Sequence, residues 1–276
     1  MSIVSEIERI KANIANAYLA CQDKGATMPS VLNSANLVDC IASITGSEPV
    51  SGRYVADGLQ ALFSGEDAYN GGAWVDRING HKFTPTSTAT APSYVSDSKM
   101  YQATNFGGML GNFDVPSNYT LEFVFRDLKN VTNYDATGAT YGFGFLMGST
   151  FDNYTNKNVC RITHLPSVQS FRCAIFNNTD VVGEQAEILK SDLADNGLDT
   201  ITVIPGVGMF RNGVKIQDNT GTSTGGKIGL FTPYDGTNAS YFRTKGKIHA
   251  VRMYNRQLTE EEVLSNYNED VRIYGV

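Results

Sequence analysis

The sequence predicts a mainly β protein built on an antiparallel β-sandwich or jelly roll. From Arg53 onward apolar and polar residues alternate with period two, turn residues interrupt that alternation at short intervals, and no helical pattern intervenes before Leu258. Glycine (27), Tyr (14) and Phe (14) are plentiful, which favours short strands joined by turns.

Each element follows from its own stretch. "YTLEFVFRDL" puts Tyr119, Leu121, Phe123 and Phe125 on one face and Glu122 and Arg126 on the other. "TYGFGFLMG" sets Tyr141, Phe143, Phe145 and Met147 opposite Gly142, Gly144 and Leu146, leaving a bare patch that a ligand or a neighbouring side chain can approach. "LDTITVIPG", "VGMF", "VKIQ" and "GKIGLF" supply further strands, about a dozen in all. In "FRNGVKI" the Asn-Gly pair predicts a type I′ hairpin. The Thr/Ser/Pro-rich "HKFTPTSTATAPSYVSDS" (81–98) is expected to be a long surface excursion.

The end of the pattern differs in kind. A last strand, "GKIHAVRMYN", runs into Thr259 and, three residues later, Glu262, which is the spacing of a capping box. Glu260 and Glu261 add negative charge where the helix dipole favours it, and Val263, Leu264 and Tyr267 form an apolar side. The expectation is a short amphipathic helix lying against the sandwich and covering a sheet edge or end.

Residues 1–45 read as a separate helical module. Ile3, Ile7, Ile10, Ile14, Ala17 and Cys21 recur at alternating steps of four and three, forming one apolar stripe. Gly25 and Pro29 break the helix, and a second begins near Ser34 with Leu37, Ile41 and Ile44 on one face. Two readings stand: a helical hairpin closing on itself, or an anchoring and oligomerising element. Isoleucine at both seam positions favours three or more strands, hence a trimer. Residues 46–52 are a linker by composition and 53–276 the β domain.

Bulk properties narrow the function classes. A net charge of -6 without a basic stripe excludes a sequence-blind nucleic-acid binder. No window is apolar enough for membrane insertion, and the charged residues among the first isoleucines leave no signal-peptide core, so cytoplasmic synthesis is expected. The Asn-x-Ser/Thr sequons at Asn118, Asn130, Asn153, Asn177 and Asn238 then carry no glycan. Cys21, Cys40, Cys160 and Cys173 include no CxxC pair. A two-residue turn at Pro166-Ser167 would bring Cys160 opposite Cys173, and buried free thiols are the expected state.

"IHAVRMYNRQLTEEEVLSNYNED" resembles the closing strand and helix of the laminin G-like, concanavalin A-type jelly-roll family, and "YVADGLQALFSGEDAYNGGAWVDRING" resembles its opening. The likeness brackets residues 53–276 and gives Trp74 a packing role. "IERIKANIANAYLACQDKGATMPSVLNSANLVDCIASI" resembles a short module at the head of structural proteins of phages and prophages of Gram-positive bacteria, carried by "KGATMP" and "NSANL". The resemblance implies a virion protein, such as a tail fibre, head fibre or other appendage, that leaves the cell by lysis. Its partners would be other virion proteins, reached through the N-terminal module, and a host cell-surface glycan. A structural capsid or appendage decoration protein and a polysaccharide depolymerase are the alternatives.

For saccharide binding, aromatic faces beside Asp or Asn are the chemistry sought. Tyr134 with Asp135, Tyr154, and Tyr234 with Asp235 and Asn238 are the candidate ligand-binding residues. "FDNYTN" (151–156) and "PYDGTN" (233–238) have the oxygen-rich composition that suits Ca2+, although ordinary polar turns share it. His81, His164 and His249 lack zinc-ligand spacing. "GTSTG" (221–225) matches G-x-S-x-G, with Ser223, Asp235 and His249 in hydrolase order, yet no helix pattern follows it. The Glu-x-Asp-x-x-Glu string that the jelly-roll resemblance would supply in a glycosidase is absent, and parity sends Glu122 and Asp127 to opposite faces. A non-enzymatic protein is therefore expected.

Overall fold

The alternation in "YTLEFVFRDL" and "KGKIHAVRMY" becomes two neighbouring strands at the middle of a β-sandwich. The computed structural model describes residues 6–7, 9–11, 13–15, 17–18, 29–36, 54–66, 72–86, 91–103, 107–133, 144–149, 159–176, 182–223, 225–231 and 244–275. The chain divides into two compact units, residues 1–57 and 58–276.

In the first unit the described residues between Glu6 and Tyr18 are helical, and so are Ser34, Ala35 and Asn36. Asn33 caps that second helix, its Oδ1 accepting from the Asn36 N–H at 2.9 Å. Tyr18 is buried and donates to the Asn33 carbonyl at 2.8 Å. Ile7 and Ile10 are each 47% exposed and Ile14 is half-buried, while Ile3 lies outside the described residues.

In the second unit the strands run, in chain order, β1 (Leu59–Ser64), β2 (Trp74–Val75), β3 (Lys82–Pro85), β4 (Ser93–Val95), β5 (Met100–Ala103), β6 (Met109–Gly111), β7 (Thr120–Arg126), β8 (Thr132–Asn133) and β9 (Gly144–Ser149). There follow β10 (Cys160–Leu165), β11 (Ser170–Phe176), β12 (Val182–Leu189), β13 (Leu198–Ile204), β14 (Gly208–Arg211), β15 (Val214–Asp218), β16 (Ile228–Leu230) and β17 (Thr244–Tyr254). They form two antiparallel sheets. One orders β15-β14-β13-β7-β17-β5-β4, with β1 and β8 also paired to β17, and the other orders β12-β11-β10-β9-β16-β6-β3-β2. A single apolar core fills the space between them. Trp74 is 1% exposed within that core, its ring 4.5 Å from Tyr101, and its indole donates to the Ser64 carbonyl. In "WVDRING" the buried Asp76 carboxylate accepts from the N–H groups of Ile78, Asn79 and His81, which ties the turn before β3. Asn212 and Gly213 both take positive φ (54° and 78°), as a type I′ turn demands.

Four expectations need correction. The 81–98 excursion carries β3, β4 and a 3-10 turn, Ser96–Ser98, because its Thr, Ser and Tyr residues suit an edge ladder as well as a loop. Strict alternation fails in β9: Leu146 and Met147 both join the core, because a bulge opposite Ile162 and Thr163 leaves Leu146 between two paired neighbours. The β10–β11 hairpin turns through the four residues 166–169, with Gln169 at φ 52°, so Cys160 pairs with Ile175 and Cys173 with Ile162. Both thiols are buried and free, and burial pushes Cys160 up to about 12. Asp127 lies one residue beyond β7 in the left-handed region (φ 60°), so strand parity does not govern it.

The C-terminal helix, Glu260–Tyr274, opens on the predicted capping box. Thr259 accepts from the Glu262 N–H, and Glu262 accepts from the Thr259 N–H. The helix covers the outer face of β7 and β17, where Glu122 and Arg252 are fully buried. Arg252 Nε donates to Glu122 at 2.7 Å, and its two terminal nitrogens clasp Asp270 at 2.6 and 2.7 Å. Asn266 donates to Glu122 (2.8 Å), Thr200 to Asp270 (2.9 Å) and Thr202 to Glu122 (3.3 Å). Burial raises the Glu122 pKa, with Arg252 opposing.

Two histidines are buried as neutral rings. His164 Nδ1 lies 2.7 Å from Asn133 Oδ1, and burial together with Lys190 brings it down to about 4. His249 Nδ1 donates to the Lys99 carbonyl at 2.9 Å, and burial brings this ring also to about 4, against that hydrogen bond and reinforced by Arg126.

Arg252→Ala leaves two carboxylates buried beside a void and is expected to cost about 3–5 kcal/mol in urea denaturation, whereas Thr259→Ala costs about 1 kcal/mol. The histidines give a pH signature. Because their folded pKa values are depressed, the stability they contribute is full above the unfolded value of 6.5 and is lost as pH falls toward 4. The urea midpoint should drop across that window, with up to about 1.4 kcal/mol per pH unit for each ring, and His249→Gln and His164→Gln should each flatten the slope.

Candidate functional site

The site is built where β7 ends, β8 begins its short pairing and β17 starts. Arg126, the last residue of β7, faces away from the core because its neighbour Phe125 faces into it. Lys247 is its cross-strand partner on β17, next to the core residue Ile248. β8 pairs with the start of β17, Asn133 with Thr244 and Thr132 with Lys245. Gly246 lets the chain pass close to the core: a Cβ there would lie 2.7 Å from a ring carbon of Phe231.

These segments enclose a cavity of about 270 Å³ lined by Gln102, Ala103, Arg126, Asp127, Asn130, Val131, Thr132, Lys245, Gly246 and Lys247. A second cavity of about 250 Å³ shares Arg126 and extends past the end of the C-terminal helix, with Lys99, Asp97, Asn196, His249 and Tyr274 in its wall. Arg126 thus stands between the two. Its Nε donates to His249 Nε2 (3.2 Å), its Nη1 to the Asn196 carbonyl (3.1 Å) and its Nη2 to the Tyr274 carbonyl in the last turn of the helix. A cation at a helix C-terminus is favoured by the helix dipole. Desolvation lowers the Arg126 pKa while nearby Asp127 raises it, and a guanidinium keeps its charge at neutral pH.

Asp127 is held by three donors: Asn130 Nδ2 (2.8 Å), the Asn196 N–H (3.0 Å) and Lys247 Nζ (3.1 Å). Burial works to raise its pKa, but those hydrogen bonds and the Lys247 charge prevail and keep it below the usual carboxylate range. The arrangement provides cations for an anionic group, and amide and carboxylate groups for hydroxyls.

The six predicted saccharide-binding residues, Tyr134, Asp135, Tyr154, Tyr234, Asp235 and Asn238, lie outside the described residues, as do both calcium-type loops. Their described flanks are informative. Asn133, which precedes the first segment, pairs with Thr244, which follows the third, and Thr132 and Lys245 beside them line the first cavity. Ser149 and Val159, which flank the segment holding Tyr154, lie at the other end of β9 from Gly144. Among the described residues no group of three or more His, Cys, Asp or Glu side chains is placed to hold a metal ion, and no helix is long and apolar enough to cross a membrane.

Sequence reading missed the cavity. It places Arg126 only on the polar side of a strand and Lys247 only in the last one, and it assigns Lys245 to no element. The signal available was the string "KGK" opening β17, which carries no meaning until β7 and β8 are known to flank it. The hydrolase-like string is not assembled by the contacts present. Ser223 accepts from the Gly225 N–H, whereas the His249 nitrogens engage Lys99 and Arg126.

No protein-family model matches the chain, and no curated protein matches it. Solved structures do. Trypanosoma rangeli sialidase matches at 12% identity and a TM-score of 0.54, covering 99% of this chain and 40% of that one, and the same enzyme in complex with sialic acid matches with a TM-score of 0.54 over 96% and 39%. A mutant of HCR/D matches at 12% identity and 0.51, over 78% and 52%. The botulinum neurotoxin type G receptor binding domain matches at 13% identity and 0.49, over 77% and 51%. The chain spans about two-fifths of the sialidase's length. At such identities the sialidase and HCR/D likenesses show the fold, an antiparallel β-sandwich. The expectation of a non-enzymatic protein is corrected by the sialidase match. This fold occurs within an enzyme chain, so a missing carboxylate string and an unassembled serine motif do not set the protein apart from enzymes.

Proposed function

We propose that residues 58–276 form a saccharide-binding β-sandwich that a phage virion appendage displays toward the host surface. The observation that carries the binding part is the polar cavity at the β8–β17 pairing. Its wall adjoins, in the chain, the segments bearing Tyr134, Asp135, Tyr234, Asp235 and Asn238, and it offers Arg126, Asp127, Asn130 and Gln102 for hydrogen bonds. The sialidase of similar fold has been solved with sialic acid, which agrees with a sugar ligand.

The appendage part rests on the likeness of residues 1–45 to phage structural proteins and on the exposure of Ile7 and Ile10, which leaves an apolar stripe for other copies or for another virion protein. Copies joined in a trimer turn weak sugar contacts into firm adhesion.

Purified full-length protein should bind host cells saturably, in competition with their extracted surface polysaccharide, and should sediment as a trimer. Tyr134→Ala with Tyr234→Ala, and separately Tyr154→Ala, should each weaken binding about tenfold or more, through loss of the aromatic faces that pack against the sugar. A chelator arm reads out calcium. Binding at no valency would remove the adhesion reading, and a monomer would remove the oligomerising role of the isoleucine stripe.

A further inference from the structure

We propose that the cavity between Arg126 and Lys247 takes a carboxylated sugar, so that the ligand is an acidic saccharide; this rests on the saccharide-binding reading above. Charge distribution is the first support. The chain carries a net charge of -6, yet among the described residues the wall of the 270 Å³ cavity sets Arg126 beside Lys247 and Asp127, which engage each other. Arg126 hydrogen-bonds to no carboxylate among the described residues, and a partly enclosed wall focuses the field of such a cation.

The second support is how those cations are held. Arg211, Arg252, Arg256 and Arg272 spend their guanidinium groups on carboxylates. Arg126 instead donates to an imidazole nitrogen and two carbonyls, all neutral acceptors. Three of its five N–H groups are used there, leaving two donors and a full charge for a ligand among the described residues. Neutral acceptors orient the fork without cancelling its field, and the neighbouring Asp127 carboxylate is engaged by Lys247, Asn130 and the Asn196 N–H. His249 completes the support. Its Nδ1 proton goes to the Lys99 carbonyl, which leaves Nε2 as the acceptor that steers Arg126.

The third support is the mixture of groups. A bare inorganic anion needs only donors. Here Asp127, Asn130 and Gln102 stand beside the cations and supply both acceptors and donors, the combination that reads hydroxyls. An anion that is also polyhydroxylated is an acidic sugar. The volume, near the lower end of the ~300–1,000 Å³ found for small-ligand sites, suits one ring of a longer chain. Nucleic acid would demand a basic stripe rather than a single basic hollow.

The test measures binding of full-length protein to polygalacturonate, alginate, hyaluronan and polysialic acid. Dextran, carboxyl-reduced hyaluronan and polyglutamate serve as the neutral and non-sugar arms. The expected result is binding to at least one acidic polysaccharide about tenfold or more tighter than to the neutral arms and to polyglutamate, weakening with added salt. Lys245→Ala with Lys247→Ala, which alters side chains outside the core, should reduce that binding about tenfold. Lys82→Ala with Lys129→Ala, an equal change of charge outside both cavity walls, should leave it within twofold. Arg126→Gln should abolish the preference for carboxylates, with its thermal midpoint measured alongside because Arg126 also contacts the helix end.

Equal binding to carboxyl-reduced and acidic polymers would overturn the inference and leave saccharide binding standing. Binding to none of the polysaccharides would overturn both. Equal binding to polyglutamate, or loss of binding in the Lys82/Lys129 variant to the same degree as in the Lys245/Lys247 variant, would overturn the site in favour of unspecific charge attraction.

Discussion

One guanidinium shared by two buried carboxylates organises the second unit. Arg252, Glu122 and Asp270 are all fully buried, and the one guanidinium bonds both carboxyl groups. Desolvation of such a group is costly, and it is tolerated here because Asn266, Thr200 and Thr202 complete the hydrogen bonds. The participants come from β7, β13, β17 and the C-terminal helix, so the cluster fixes where the helix lies on the sheet and in which register. An apolar contact would hold the helix too, but it would not select one position along the strands.

That placement reaches the candidate site through the helix end. Tyr274 offers its carbonyl to Arg126, and its ring stacks on His249 at 4.6 Å. Arg126 therefore belongs both to the packing of the helix and to the wall of two cavities. The structural interaction sets the orientation of the side chain on which the proposed recognition depends. The buried His249 ring, held neutral by its surroundings, transmits the position of Lys99 to the same guanidinium.

What the sequence discloses and conceals follows from the range of each interaction. The capping box at Thr259 and the turn at Asn212-Gly213 are readable because cause and effect lie within four residues. The strand faces of β7 are readable because pleating fixes them. Glu122 was legible as pointing away from the core but not as buried, since the helix that covers it is far along the chain. The bulge at Leu146, the left-handed Asp127 and the turn through Gln169 each shift a pattern by one or two residues, and nothing in the residues themselves announces the shift. The cavity is the extreme case. Gln102, Asn130 and Lys247 are brought together by strand order alone, which one sequence does not encode in any local signal.

The position of β17 has a consequence for biogenesis. It pairs with β1, β5, β7 and β8, yet among the described strands it comes last in chain order. While a nascent chain carries everything up to Leu230, the nine-stranded sheet lacks its middle, and the facing edges of β5 and β7 have no partner. Exposed edges of that kind invite pairing with other chains, so the ribosome-bound stage is the one most in need of protection. The same ordering makes assembly decisive. When β17 arrives it closes both halves of the sheet at once, delivers Arg252 to Glu122 and brings the capped helix down behind it.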